Sequence, residues 1–196
     1  NHIFHTMMVN LMSRWFGEEN AIAIRLPTLL FGIAGLGMIY KLALEIFISR
    51  KIALIALIIS AVNPIHIYYS QTARGYSLII FFSTAIIYSS INILKPNPSQ
   101  WHVVSLILCS FLSIYTLPTN IFFMLALAAW LAFVIFTPQI FKNYRVNVKD
   151  KEQKVLWFVC SALAITILLF FSYLPLYDQM IDAVRNHSLL TFDTKS

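Results

Sequence analysis

The chain has 196 residues, of which 59% are apolar and only 11% are charged, and its formal net charge is +6. A water-soluble domain of this length needs a far more polar surface, so the composition excludes a soluble globular protein. It predicts instead a polytopic α-helical membrane protein, because apolar runs reach the roughly 20 residues that cross a ~30 Å hydrocarbon core.

The first 17 residues predict an amphipathic helix that lies in the membrane interface. Apolar side chains, including Phe4, Met8 and Trp15, recur at helical spacing and form one face. Thr6 and Asn10 lie largely on the opposite face. A helix with one apolar and one polar face binds at the boundary between lipid and water.

His2 and His5 lie about one turn apart near the start of this helix. Two interpretations remain open: the imidazoles bind a metal or a phosphate, or they are polar groups at a wet interface. No third ligand stands nearby in the sequence, so no metal site is predicted.

Six membrane-spanning helices are predicted after this segment. Polar and proline-containing breaks separate them, as at Asn63-Pro64. The predicted spans, in chain order, are residues 26–47, 52–69, 76–94, 101–116, 120–137 and 155–174. Together with the interfacial helix they predict an all-α transmembrane bundle that forms a single domain over residues 1–196.

Near the end of the first span, Lys41 and Glu45 lie four residues apart on one helical face. Side chains at this spacing are neighbours on a helix surface. Local spacing therefore predicts that the two residues neutralise each other or extend to the interface.

Lys and Arg are unevenly distributed between the two sets of loops that join these spans. Positive residues in short loops remain on the cytoplasmic side, so the richer set predicts the cytoplasmic face. That set comprises Arg50, Lys51, Lys95, Lys142, Arg145, Lys149, Lys151 and Lys154. The opposite face then carries residues 71–75 and both ends of the chain. A nucleic-acid partner is not predicted, because the basic residues lie in loops between spans and form no folded basic surface.

The connection between the second and third spans is unusually polar for so short a segment. Its polar side chains are Asn63, His66, Ser70, Gln71, Arg74 and Tyr76. One interpretation is that they line a cavity at membrane depth, where polar groups are costly unless they have partners or a task. The other is that Tyr68, Tyr69 and Tyr76 form an aromatic belt with Arg74 as an ordinary interfacial anchor.

These segments resemble the membrane glycosyltransferases of the GT-C superfamily. The resemblance depends on Ala-Ile-Arg-Leu-Pro-Thr-Leu-Leu-Phe-Gly at residues 23–32, on the polar connection at residues 63–76, and on the opening Asn-His-Ile-Phe-His-Thr. More narrowly, the chain is similar to the bacterial branch related to protein O-mannosyltransferases and the lipid A aminoarabinose transferase. The similarity covers nearly the whole chain but only the front half of a family member, so we expect a fragment of a larger protein.

The resemblance implies an enzyme that takes a sugar from a polyprenyl-phosphate donor. The sugar moves to a lipid, glycan or protein acceptor on the outer face of a membrane, by implication a bacterial or archaeal plasma membrane. No cofactor is implied. Family members carry the carboxylates that accept the acceptor's proton in the first outer loop, which places them upstream of Asn1. The catalytic residues are therefore unknown within this chain.

Among the residues present, the resemblance implies substrate-binding roles for Arg74, Gln71, Tyr76, His2 and His5. Arg74 is the first candidate, because a guanidinium gives planar, bidentate recognition of phosphate oxygens. Gln71 is expected to hydrogen-bond sugar hydroxyls. The two histidines are expected to contact the donor phosphate or to position the upstream acid.

Two other classes of function remain open, a secondary transporter and a non-catalytic membrane assembly subunit. A transporter usually shows internal repeats and paired broken helices, and the six predicted spans show no such repeat. An assembly subunit needs no polar cluster at membrane depth. The polar connection around Arg74 therefore favours the enzyme.

Overall fold

The computed structural model of the chain describes residues 3–17, 20–137 and 151–174. Every regular element within these ranges is a helix, and none of them contains a strand. The helices are α1 (Ile3–Phe16), α2 (Ala21–Phe47), α3 (Arg50–Ala61), α4 (Pro64–Gln71), α5 (Tyr76–Ile93), α6 (Gln100–Thr116), α7 (Ile121–Phe136) and α8 (Lys151–Tyr173), with a 3-10 turn at Pro118–Asn120 before α7. The predicted all-helical class is therefore confirmed for the described part of the chain.

Several of these helices make the chain a multi-pass membrane protein. Four segments are long and apolar enough to cross a bilayer, namely Ile24–Phe47, Tyr76–Ile93, Pro118–Phe136 and Lys151–Tyr173. The pair α3 and α4 qualifies together as one broken span, which raises the number to five. With 17 residues, α6 is apolar but reaches only about 25 Å, less than a ~30 Å hydrocarbon core. The sixth span therefore stays a prediction.

The first spanning helix begins earlier than the apolar pattern predicts. It starts at Ala21, whereas the predicted span starts at residue 26. The Asn20 side chain accepts a hydrogen bond from the Ile22 backbone N–H at 3.0 Å, as a helix-capping residue does. Pro27 lies within the helix. The helix thus gains five residues before the predicted start, and Arg25 is the charged one among them.

Helix α5 is the centre of the bundle. More than half of its residues, 56%, are buried, against 11–22% for the other spanning helices. Leu78, Phe82 and Ile86 form the middle of the hydrophobic core. Helix α5 packs against α2 and α6, α8 packs against α6, and α1 lies on α2 and α6. Each end of α5 is joined to a loop that carries polar side chains.

One end of the bundle is held by lysine side chains and is called the basic end here. The ammonium of Lys95 lies 2.5 Å from a Glu45 carboxylate oxygen and donates to the Asn92 side-chain oxygen at 2.8 Å. The buried Lys154 donates to the Leu94 backbone carbonyl at 2.7 Å. The end of α2, the α5–α6 connection and the start of α8 thus meet at one place.

The ion pair at the basic end differs from the pairing expected from local spacing. Glu45 pairs with Lys95, which is 50 positions away, while the side chain of Lys41 is exposed. Glu45 pairs with Lys95 rather than with Lys41 because Lys95 also bonds to Asn92 and is held in place beside Glu45. An exposed pair on one helix would have contributed only a few tenths of a kcal/mol, about 0.3–0.5.

Candidate functional site

The candidate site begins with the break between α3 and α4. The Asn63 side chain accepts a hydrogen bond from the Ile65 N–H at 2.9 Å and caps α4. Pro64 occupies the first turn of α4, where its missing N–H leaves no intrahelical bond unmade. The new helix starts at 60° to α3. This turn brings α4 against the first half of α2.

Helix α4 lies close to α2 because α2 presents glycine there. The His66 Nε2 atom is 3.2 Å from the Gly32 carbonyl oxygen, and Ser70 is buried beside the same glycine. A Cβ atom on Gly32 would stand only 2.9 Å from the Ser70 Cβ, too close for any real side chain. Small residues let helix backbones approach in this way in membranes. Two of the polar side chains of α4 are therefore used for packing.

The connection from α4 to α5, residues 72–75, is held by its own backbone. The Thr72 N–H donates to the Tyr68 carbonyl at 3.0 Å, and the Arg74 N–H donates to the Thr72 carbonyl at 2.7 Å. The Ser77 hydroxyl donates to the Tyr69 carbonyl at 3.1 Å. These bonds fix the path of a short loop whose Arg74 side chain is exposed.

Two cavities that are open to the surface lie on either side of this loop, and Arg74 lines both. The first, called the arginine cavity, has a volume of about 600 Å³ and lies between the loop, α4 and the start of α2. Its polar walls are Arg25, Arg74, Gln71, Tyr68 and Thr72. Arg25 and Arg74 come from different elements, so the fold brings two guanidinium groups to one cavity.

The second cavity, called the α1 cavity, has a volume of about 690 Å³ and lies between the loop and α1. Its polar walls are Arg74, His5, Thr6, Asn10 and Tyr76. His5 is buried, whereas Thr6 and Asn10 are exposed and four residues apart on α1. Among the described residues, Arg74 is the single permanent cation of this wall, which otherwise carries hydroxyl, amide and imidazole groups.

The two cavities differ from the basic end in their electrostatics. No described carboxylate lines either cavity, and neither Arg25 nor Arg74 has a carboxylate partner among the described residues. Arg25 lies 20 residues before Glu45 on the same helix, about 30 Å away along its axis. The arginine cavity and the basic end are thus at opposite ends of the bundle.

The structure divides the polar side chains of the 63–76 connection into two groups. Gln71, Arg74 and Tyr76 line the cavities, as does His5 from α1. In contrast, Asn63 caps α4, and His66 and Ser70 face α2. Of the two open interpretations, a single cavity lined by all six side chains does not match this arrangement, since Gln71 and Tyr76 line different cavities and only Arg74 lines both. His2 lies outside the described residues.

Several further residues line the cavities without having been predicted as site residues, among them Arg25, Thr6 and Asn10. Arg25 directly precedes the first predicted span, and its position near the loop depends on the contact between α4 and α2. Thr6 and Asn10 belong to the predicted polar face of α1. Their helical spacing was the available signal, but it does not reveal which element lies opposite that face.

Metal-binding residues are not grouped in the described part of the chain, where no three His, Cys, Asp or Glu side chains come together. Comparison of the chain with protein-family models, with curated proteins and with solved structures finds no match. The chemistry of the site must therefore be inferred from its own residues.

Proposed function

We propose that this chain belongs to a membrane glycosyltransferase that moves a sugar from a polyprenyl-phosphate donor to a lipid, glycan or protein acceptor. The observation that carries the proposal is the position of Arg74. Its guanidinium lines two cavities at one end of a bundle of membrane-spanning helices, with no described carboxylate beside it. A cation at that place suits an anionic group attached to a lipid.

The membrane setting of the proposal includes six spans and an interfacial α1. Exposed apolar side chains on α1, including Met7, Leu11 and Trp15, support its placement at the lipid boundary. The basic end supports a cytoplasmic position for the α2–α3, α5–α6 and α8 connections, because it groups lysines at one end of the bundle. The cavities then open on the outer face.

The chemistry of the transfer explains the residues at the cavities. When a lipid phosphate leaves an anomeric carbon, negative charge develops on the phosphate, and a fixed guanidinium stabilises it. Arg74 takes this role in the proposal. Gln71 and Tyr76 supply an amide and a hydroxyl for substrate oxygens, and His5 contributes an imidazole group on the α1 side. The role of His2 in binding the donor phosphate remains part of the proposal. The carboxylate that removes the acceptor's proton is supplied from outside these residues.

Transfer of radiolabelled sugar from polyprenyl-phosphate donors by the full-length protein in proteoliposomes tests the proposal. Arg74→Ala is expected to lower the rate about 100-fold or more, because charge stabilisation in the transition state is lost. Arg74→Lys restores part of it, since an ammonium lacks the planar fork. Arg14→Ala is the matched control, because Arg14 is an exposed arginine of α1 that lines neither cavity.

Three results would contradict the proposal. Full activity in Arg74→Ala at normal expression would reduce Arg74 to an interfacial anchor. Transport of a solute across the liposome membrane without sugar transfer would identify a secondary transporter. If the protein shows neither sugar transfer nor solute transport but forms a stable complex with another membrane protein, it is an assembly subunit.

A further inference from the structure

The arginine cavity is lined by a second cation, Arg25, which has no role in the proposed sugar transfer. Arg25 is exposed on the first turns of α2, and Arg74 is exposed on the α4–α5 loop. Both line one cavity of about 600 Å³ together with Gln71. The fold therefore presents two guanidinium groups to one cavity, where an anion would interact with both.

We propose that Arg25 and Arg74 form a two-arginine site for the phosphate of a lipid, and that the sugar attached to this phosphate occupies the α1 cavity. The inference rests on the proposed function and divides its substrate between the two cavities. A guanidinium binds phosphate through paired N–H donors, and two of them from different elements hold a phosphate more firmly than one.

The lipid nature of the anion follows from the surface below Arg25. Residues 25, 29 and 33 are spaced four apart and lie on one stripe of α2. Leu29 and Ile33 are 44% and 60% exposed, so the described elements leave the apolar stripe below the guanidinium partly open. A phosphate held at Arg25 can extend its hydrocarbon chain along Leu29 and Ile33. A free phosphate makes no use of this surface.

The α1 cavity suits the uncharged part of the same substrate. Apart from Arg74, its polar wall consists of Asn10, Thr6, His5 and Tyr76, which offer amide, hydroxyl and imidazole groups. Such groups recognise sugar hydroxyls, whereas charge recognition needs ionised partners. Arg74 lines both cavities, so it lies where phosphate and sugar meet. The bond that breaks in the transfer is therefore placed beside Arg74.

Binding measurements in nanodiscs test the site without any transfer reaction. The probe is radiolabelled polyprenyl phosphate, compared with neutral polyprenol and with inorganic phosphate as competitor. Arg25→Ala and Arg74→Ala are each expected to weaken binding of polyprenyl phosphate by about 10- to 100-fold, which corresponds to loss of a charge-assisted hydrogen-bonding group. Arg14→Ala, the control of equal charge change, leaves it unchanged. Polyprenol binding should not distinguish the variants.

The two halves of the inference have separate readouts. Asn10→Ala is expected to weaken binding of the sugar-carrying polyprenyl phosphate several-fold and to leave binding of the bare polyprenyl phosphate unchanged. Wild-type affinity of Arg25→Ala for polyprenyl phosphate would overturn the two-arginine site. Equal affinity for inorganic phosphate and polyprenyl phosphate would overturn the lipid assignment. An equal effect of Asn10→Ala on both lipids would overturn the placement of the sugar.

Failure of this inference is distinguishable from failure of the proposed function. If the protein binds polyprenyl phosphate through both arginines but transfers no sugar, the two-arginine site is supported and the proposed glycosyltransferase is contradicted. If sugar transfer requires Arg74 but the Arg25→Ala variant binds the donor normally, the proposed glycosyltransferase is supported and the two-arginine site is contradicted.

Discussion

The Nε2 atom of His66 lies 3.2 Å from the carbonyl oxygen of Gly32, and this contact joins α4 to α2 across 34 residues of sequence. His66 is buried, so the bond is shielded from water. The loop that carries Arg74 begins one residue after α4 ends. The position of the arginine thus depends on how firmly α4 is held against α2.

His66→Ala is expected to lower the free energy of unfolding by about 1–3 kcal/mol, because the Gly32 carbonyl loses its imidazole partner and a buried volume is emptied. Ile65→Ala is the control, since Ile65 lies on the same helix with 63% of its surface exposed. Thermal unfolding in detergent measures both variants. Equal loss of stability in the two variants would contradict a specific role for the His66 contact.

Gly32→Ala is expected to destabilise the protein and to weaken anion binding, because the new Cβ meets the Ser70 side chain, whose Cβ would be 2.9 Å away. Gly37→Ala is the matched control on the same helix, since a Cβ at Gly37 meets no atom within 4 Å. Replacement of glycine by alanine inside a helix is otherwise favourable, by about 0.5–1 kcal/mol.

A second substitution tests the cause of the Gly32 effect. Ser70→Gly in the Gly32→Ala background removes the side chain that the new methyl group meets, so part of the lost stability should return. The same measurement of thermal unfolding detects the recovery. No recovery in the double variant would show that α4 is not held at this distance by the Gly32–Ser70 contact.

Lys154→Met is expected to lower the free energy of unfolding by about 1–3 kcal/mol. It removes an ammonium that donates to the Leu94 carbonyl at 2.7 Å and leaves that oxygen buried without this donor. Lys51→Met is the control of equal charge change, because Lys51 is an exposed residue of α3. If the two variants unfold at the same temperature, the Lys154 bond does not hold α8 to the basic end.

Single cysteines at Thr72 and Asn97 test the orientation, in a background with Cys109 and Cys160 replaced by serine. An impermeant thiol reagent added to whole cells is expected to modify the cysteine at residue 72 and not the one at residue 97. The physical reason is the concentration of Lys and Arg at the basic end, which favours the cytoplasmic side. Modification of residue 97 alone would reverse the orientation.

Helix positions were largely predictable from the sequence, because apolar runs and capping residues act locally. The start of α4 follows from Asn63-Pro64, and the 3-10 turn at Pro118–Asn120 follows from a proline between two apolar segments. The limits of α2 were less predictable. Its first four residues are apolar, but the charged Arg25 follows them, and the predicted span begins only after that charge.

The candidate site was only partly predictable, because its division depends on contacts between distant residues. In the sequence, His66, Ser70 and Arg74 belong to one polar segment. In the structure, His66 and Ser70 pack against Gly32 of α2, whereas Arg74 is exposed. Likewise, Arg25 is close to the loop only through packing of α4 on α2. Periodicity along one helix contains no information about such contacts.

The break at Asn63-Pro64 also determines how deep the loop lies in a bilayer. Helix α3 has 12 residues, or about 18 Å, and α4 has eight, or about 12 Å. With α3 along the membrane normal, the 60° bend reduces the advance of α4 to about 6 Å, so the pair advances only about 24 Å across a ~30 Å core. We therefore expect the lipid to thin locally around α4 and the head groups of that leaflet to descend to the level of the arginines.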